Sequence, residues 1–283
     1  MLVAAISLAG LRMSSMEDYC SDLSALISKN GVKLAVLPAY SSLVLGLATG
    51  ALQPSRDYNA FIQQLPGVCS NWNRQFLDLH STMARELDLY LAAGTLFETE
   101  LNHHFHTAYC FNPAGAVCCR QRQTHLTRDE RSIGLSRGEE LSLFSINDLQ
   151  VGMVVGNDAR HPEVGRIFAL LGADLLLHSG ALREGFNCWT EAAGMWSQVQ
   201  QNQVWAVEAQ LKGVIADRSF AASSAVIGPC EITPGQSGYL ARGYPETPVI
   251  TSELDNKALL EIRRNYPLLK LLNPAAYTDL LNG

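Results

Sequence analysis

The chain has no run of basic residues, no Cys-x-x-Cys pair and no Lys or Arg among its first ten residues, and each absence narrows what it can do. A formal charge of −6 without a basic patch gives no phosphate-binding surface, so nucleic acid is not expected as a partner. Seven cysteines are an odd number at no metal-binding spacing, which excludes a disulfide framework and favours small buried hydrophobes in a reducing compartment. The apolar start, Met1 to Gly10, reads as a first strand rather than a signal peptide, and a cytoplasmic protein is expected. The uncharged stretch from Leu34 to Ser55 approaches the length of a membrane span. Pro38, Ser41, Ser42, Gly46, Thr49 and Gly50 punctuate it, so it reads as a buried strand, a loop and a short helix, with no membrane segment.

What is present is an alternation of strand and helix signals over 283 residues, the pattern of an α/β protein with helices covering its sheets. Leu2 to Leu8 reads as a strand and Met16 to Ser28 as a helix with Ser14 or Ser15 near its start. Gly31 ends that helix, and Lys33 to Leu37 is an interior strand. Ser70 is placed to cap a helix whose Trp72, Phe76, Leu79, Met83 and Leu87 form one buried stripe. Tyr90 to Phe97 is the strand after it. His104 to Phe111 and Val117 to Arg122 flank a hairpin turn at Asn112-Pro113-Ala114-Gly115, and Thr124 to Gly138 is a charged loop. Strands follow at Leu141 to Ile146, Val151 to Val155 and Asp174 to His178, with a helix from His161-Pro162-Glu163 to about Leu171. A helix over Trp189 to Gln200, strands at Val204 to Ala209 and Ser224 to Gly228, and a tail over 257–283 complete one domain spanning 1–283.

Three segments, in order and at sensible spacing, carry a resemblance. Lys33-Leu34-Ala35-Val36-Leu37-Pro38 is similar to a strand that ends in Leu-Pro-Glu, Arg122-Gln123-Thr124-His125-Leu126 to a Lys-x-His-Leu motif, and Val154 to Glu163 to Ile-Cys-Tyr-Asp-x-Arg-Phe-Pro-Glu. Together they resemble the nitrilase superfamily of carbon–nitrogen hydrolases, with echoes at Thr107-Ala108, Gly172 to Leu177 and Ser223 to Pro229. The resemblance implies an α/β fold, a four-layer α-β-β-α sandwich. It also implies a Glu–Lys–Cys set in which a thiolate attacks an amide or nitrile carbon, a carboxylate moves the proton and an ammonium stabilises the tetrahedral intermediate. The matching positions here are Ala39, Gln123 and Gly156. Alanine and glycine carry no functional side chain and the amide of Gln123 carries no charge. Residues that act as one catalytic unit lose nearly all rate when one is removed, on the order of a million-fold. No catalytic residue is therefore assigned, and a pseudoenzyme is expected.

Ala39, Gln123, Glu130, Gly156, Asn157 and Arg160 are the residues expected to line what remains of the pocket. Glu130 matches a second carboxylate that the family places near the lysine; it is expected to pair with Arg160 or Arg128, or to titrate above the ordinary Glu range. Cys118, Cys119 and Cys188 are the alternatives for a relocated nucleophile, but the sequence places no base or cation beside them. His103, His104 and His106 lack a third ligand at a recognisable spacing, so no metal and no cofactor are expected. Asp158, Arg160 and Glu163 read as residues that hold the turn after position 156, Ser41 and Ser42 as turn residues, and Trp189, Met195 and Trp196 as core or subunit contact.

The resemblance implies a dimer or larger homo-oligomer, built on the helix after Pro162 and the helix containing Trp196. Three functions follow: a non-catalytic subunit or scaffold that assembles with an active relative or another enzyme, a binding protein for a small neutral ligand, and a hydrolase with displaced chemistry. A plugged cavity at Ala39, Gln123 and Gly156 favours the first, an open one the second, and a cysteine facing it beside a base the third.

Overall fold

The computed structural model describes residues 1–185, 187–244 and 247–275, with backbone only for 66–69. In chain order the strands are β1 (Leu2–Ile6), β2 (Leu34–Val36), β3 (Tyr90–Glu100), β4 (His103–Phe111), β5 (Val117–Arg122), β6 (Leu143–Ile146) and β7 (Leu149–Val155). They continue with β8 (Leu175–Gly180), β9 (Trp205–Gln210), β10 (Lys212–Ile215), β11 (Arg218–Ala221), β12 (Ala225–Ile227), β13 (Tyr239–Arg242) and β14 (Val249–Glu253). The helices are α1 (Met16–Asn30), α2 (Ser41–Ala48), α3 (Tyr58–Glu86), α4 (Arg128–Ser132), α5 (Pro162–Leu171), α6 (Cys188–Ala192), α7 (Met195–Asn202) and α8 (Asn256–Asn265).

Two six-stranded sheets run in the orders β14-β1-β2-β3-β4-β5 and β13-β12-β9-β8-β7-β6, with β10 and β11 forming a separate hairpin. The period of two along each strand sorts its side chains between layers. Val3 and Ala5 of β1 meet Val151, Met153 and Val155 of β7 between the sheets, while Ala4 and Ile6 face the layer of α1 and α3. On the far side, Val154, Leu176 and Ala206 pack under Val164 and Phe168 of α5 and Val199 of α7. The result is the four-layer α-β-β-α sandwich, with three apolar interfaces in place of one core. Among the described residues no helix is long and apolar enough to cross a membrane.

Local chemistry sets the boundaries. Ser15 caps α1 by accepting from the Asp18 N–H, and Gly31 ends it in the left-handed region at φ 62°. Asn112 Oδ1 accepts from the Ala114 and Ala116 amides and holds the β4–β5 hairpin turn. Four expectations are corrected. The helix expected to begin at Ser70 begins at Tyr58, capped by Asp57, whose carboxylate accepts from the Ala60 N–H. The helix expected over Trp189 to Gln200 is two, α6 and α7, because Gly194 takes a non-helical φ of −93° and ψ of −124°. Ser41 and Ser42 open α2 rather than forming a turn. The stretch assigned to a tail holds α8, tied down by buried Leu259 and by Arg263, which donates to the Asp174 carboxylate at 2.6 Å and to the Gln203 and Ala173 carbonyls.

Candidate functional site

Parallel strands converge on the site at their carboxyl ends, where α/β sheets usually bind ligands. The chain leaves β2 through Pro38 to Ala39, whose N–H donates to the Gly180 carbonyl at the end of β8, joining the two sheets. It leaves β7 into a short 3₁₀ turn over Gly156–Arg160. Gly156 has φ +51°, a left-handed conformation that glycine adopts without steric cost. A Cβ built there would stand 3.0 Å from Gln123 Oε1 and 3.5 Å from the His106 ring, so positions 123 and 156, singled out in the sequence, do converge.

Ala39, Glu130, Gly156, Asn157 and Arg160 line a cavity of about 390 Å³ at this edge. Gln123 does not line it and lies behind its floor, 1 % exposed, at the centre of a directional hydrogen-bond chain. Thr95 Oγ1 accepts from the Tyr40 N–H at 2.7 Å, which turns its own hydrogen to His106 Nε2 at 2.6 Å. His106 Nδ1–H then donates to Gln123 Oε1 at 2.6 Å. The Gln123 amide nitrogen donates to the Glu130 carboxylate and to the His125 carbonyl, both at 2.9 Å. These roles assign a neutral His106 protonated on Nδ1, and complete burial pushes its pKa down in the same direction. The ring packs against both Tyr40, 5.0 Å away, and Phe97, 4.8 Å away, which also stack on each other at 5.9 Å.

Glu130 does not have the arginine partner expected of it: among the described residues its carboxylate is held by Gln123 and by the Thr127 N–H at 2.7 Å. It is the third residue of a capping box with Thr127, which turns the carboxylate back onto the start of α4. Arg160 donates to the Thr190 carbonyl. Asp158 is fully buried and accepts from the Thr124 and His125 amides, the structural role expected for the turn. His103 and His104 bond Ser136 and Thr99, apart from buried His106.

Several lining residues were not singled out in the sequence. Tyr40, Tyr58 and Phe220 form an aromatic wall, with the Arg218 guanidinium 3.9 Å over the Tyr58 ring. Burial raises the pKa of both phenols, so both are neutral. Arg218 and Arg183 share the Asp129 carboxylate at 2.9 and 2.8 Å. His178, on β8, has Nδ1 2.9 Å from the Glu208 carboxylate and Nε2 3.1 Å from the Gly156 carbonyl. Both neighbours are hydrogen-bond acceptors, so they fix the direction of the ring. The wall is therefore charged but balanced: Arg128, Arg160, Arg183 and Arg218 stand against Asp129, Glu130, Glu191 and Glu208. The signal that finds His178 is positional, since β7 and β8 are parallel neighbours and end at the same edge.

Among the described residues no cysteine lines the cavity. Cys110, Cys118 and Cys119 sit in or against the apolar layer between the sheets, where burial pushes the Cys119 thiol up to about 12. Cys118 is turned to the Cys110 carbonyl, and Cys188 is exposed at the start of α6.

The family model of carbon-nitrogen hydrolases matches residues 7–263. The chain belongs to that family. Among characterised relatives, the omega-amidase NIT2 of Homo sapiens is 28 % identical over 275 residues, covering 94 % of this chain and 91 % of that one. The Mus musculus omega-amidase NIT2 is 29 % identical over 208 residues, covering 70 % and 73 %. Of solved structures, a carbon-nitrogen hydrolase from Helicobacter pylori G27 superposes with a TM-score of 0.78 at 20 % identity, covering 100 % of this chain and 97 % of that one. Saccharomyces cerevisiae Nit3 superposes with a TM-score of 0.71 at 20 % identity, covering 95 % and 94 %. This carbon-nitrogen hydrolase homologue thus shares its sandwich with structures of low sequence identity.

Proposed function

We propose that this chain is a catalytically silent carbon-nitrogen hydrolase homologue whose cavity binds a small polar ligand without net charge. The observation that carries this reading is the open cavity in front of Ala39 and Gly156, with no thiol facing it among the described residues. The amide of Gln123 stands where the resemblance places an ammonium. It is bonded on both its nitrogen and its oxygen, which leaves it no role toward a substrate. An aromatic wall beside balanced charges suits a ligand that is polar and neutral or zwitterionic. The relatives named omega-amidases suggest small amides as the first compounds to try.

The test pairs binding with turnover: thermal shift and calorimetry with a panel of small primary amides, alongside ammonia release by the same protein. Binding without ammonia release is the expected result. Ammonia release that scales with enzyme and survives purification overturns silence, and absence of both leaves the subunit reading. One observation favours that second reading: Ile167, Leu170 and Leu171 of α5 are 41 %, 60 % and 54 % exposed, on one of the helices that the resemblance makes a subunit face. A dimer by light scattering that Leu170→Lys converts to monomer supports it.

A further inference from the structure

We infer that His125, His161 and Glu163 form a site for a single divalent transition-metal ion of the zinc class, separate from the cavity. The three donors come from two places that the fold brings together: His125 from the segment after β5, His161 and Glu163 from the entry and first turn of α5. Glu163 Oε1 is 3.2 Å from His125 Nε2 and 3.8 Å from His161 Nδ1, and the three donor atoms lie within 4.8 Å of one another. Zinc bonds of about 2.0–2.1 Å in a tetrahedron place neighbouring donors about 3.3–3.4 Å apart, so the two contacts of Glu163 are already close to that spacing. The two rings lie face to face with centroids 4.2 Å apart, and they must fan apart for both lone pairs to meet one ion.

The surroundings supply what a metal-bound histidine needs behind it. The far nitrogen of His125, Nδ1, lies 3.3 Å from the buried Asp158 carboxylate and 2.9 Å from Thr124 Oγ1. Thr124 Oγ1 donates its own hydrogen to that carboxylate at 3.0 Å and so accepts from Nδ1, which leaves Nε2 free to donate a lone pair. For His161 the far nitrogen, Nε2, faces the Asn157 side-chain amide at 3.0 Å. Binding moves the proton of His161 from Nδ1 to Nε2 and turns Asn157 to accept it, giving up the Asn157 bond to the His125 carbonyl. Two neutral imidazoles and one carboxylate leave a net charge of +1 on the bound ion and one coordination position open. The side chains of His125, His161 and Glu163 are 26 %, 34 % and 54 % exposed, so an ion has a path in from solvent.

The experiment uses the full chain stripped with a chelator and then titrated with Zn²⁺ against a chromogenic competitor, with thermal unfolding followed in parallel. The native chain is expected to bind one equivalent with a Kd in the micromolar range or tighter, and to gain thermal stability, because the ion pins the segment after β5 to α5. His161→Phe places at 161 the residue type that the resembled motif carries there, so the fold is retained, and it is expected to bind Zn²⁺ roughly tenfold or more weakly. His125→Ala is expected to do the same. Equal binding by the native chain and both variants would mean that the ion sits elsewhere, and overturns the site. Absence of binding by the native chain at about 1 mM Zn²⁺, an affinity worth only about 4 kcal/mol, overturns it too.

Discussion

Gln123→Leu tests whether the hydrogen-bond chain beneath the cavity holds the site together. Leucine keeps most of the volume and removes three bonds: 2.6 Å from His106, and 2.9 Å each to Glu130 and the His125 carbonyl. The His106 Nδ1–H is then buried without an acceptor, which costs about 1–3 kcal/mol. The Glu130 carboxylate loses a bond of the charged kind, about 1.5–3 kcal/mol, and keeps the Thr127 N–H. Burying leucine in place of an amide returns about 1 kcal/mol, so the net loss should be about 2–5 kcal/mol. Urea unfolding reads it as a lower midpoint at unchanged slope. His106→Phe keeps the stack on Tyr40 and Phe97 and removes the orphaned donor, so combined with Gln123→Leu it should cost about 1–2 kcal/mol less than in the native chain. A Gln123→Leu loss below about 1 kcal/mol, or additive single and double variants, would refute the reasoning.

Two further outcomes follow from single contacts. His80 is buried between α1 and α3, accepting from the Tyr19 hydroxyl at 2.8 Å and donating to the Phe76 carbonyl at 2.7 Å. Burial lowers its pKa from 6.5 to about 4, so between those values the unfolded chain binds the extra proton, and stability falls as pH drops from about 6.5 to about 4. The loss is about 3 kcal/mol at the low end, and His80→Gln should flatten that part of the stability–pH curve; an unchanged curve would count against it. Arg263→Ala frees α8 from Asp174, Ala173 and Gln203 and should cost about 2–3 kcal/mol in urea unfolding, with faster amide exchange confined to α8. Unchanged exchange there would mean that Leu259 alone holds the helix.

The parts of the fold that are legible in the sequence are those fixed by local chemistry. Ser15, Gly31, the Asn112 turn and Gly172 each act within a few residues, and the period of two along β1 and β7 sorts the layers. The start of α3 is hidden because Pro66-Gly67 punctuates the sequence, although Tyr58, Phe61, Ile62 and Leu65 already carry helical spacing. In the site the asymmetry is sharper. The residues at 39, 123 and 156 are readable one position at a time, because a motif states what chemistry belongs there. The walls are not, because they rest on partners far apart in the chain: Arg218 meets Asp129 across 89 positions, and His178 meets Glu208 across 30. A charge-free pocket is therefore the natural expectation from three neutral substitutions, and a balanced, charged one is what the fold assembles. Gln123 follows the same rule. Its place on the chain is readable, but its direction is set by His106 on β4 and Glu130 on α4, which claim both ends of the amide and turn it away from the cavity. An amide engaged in that way is a structural part of the floor, and ligand chemistry in the cavity falls to the residues in front of it.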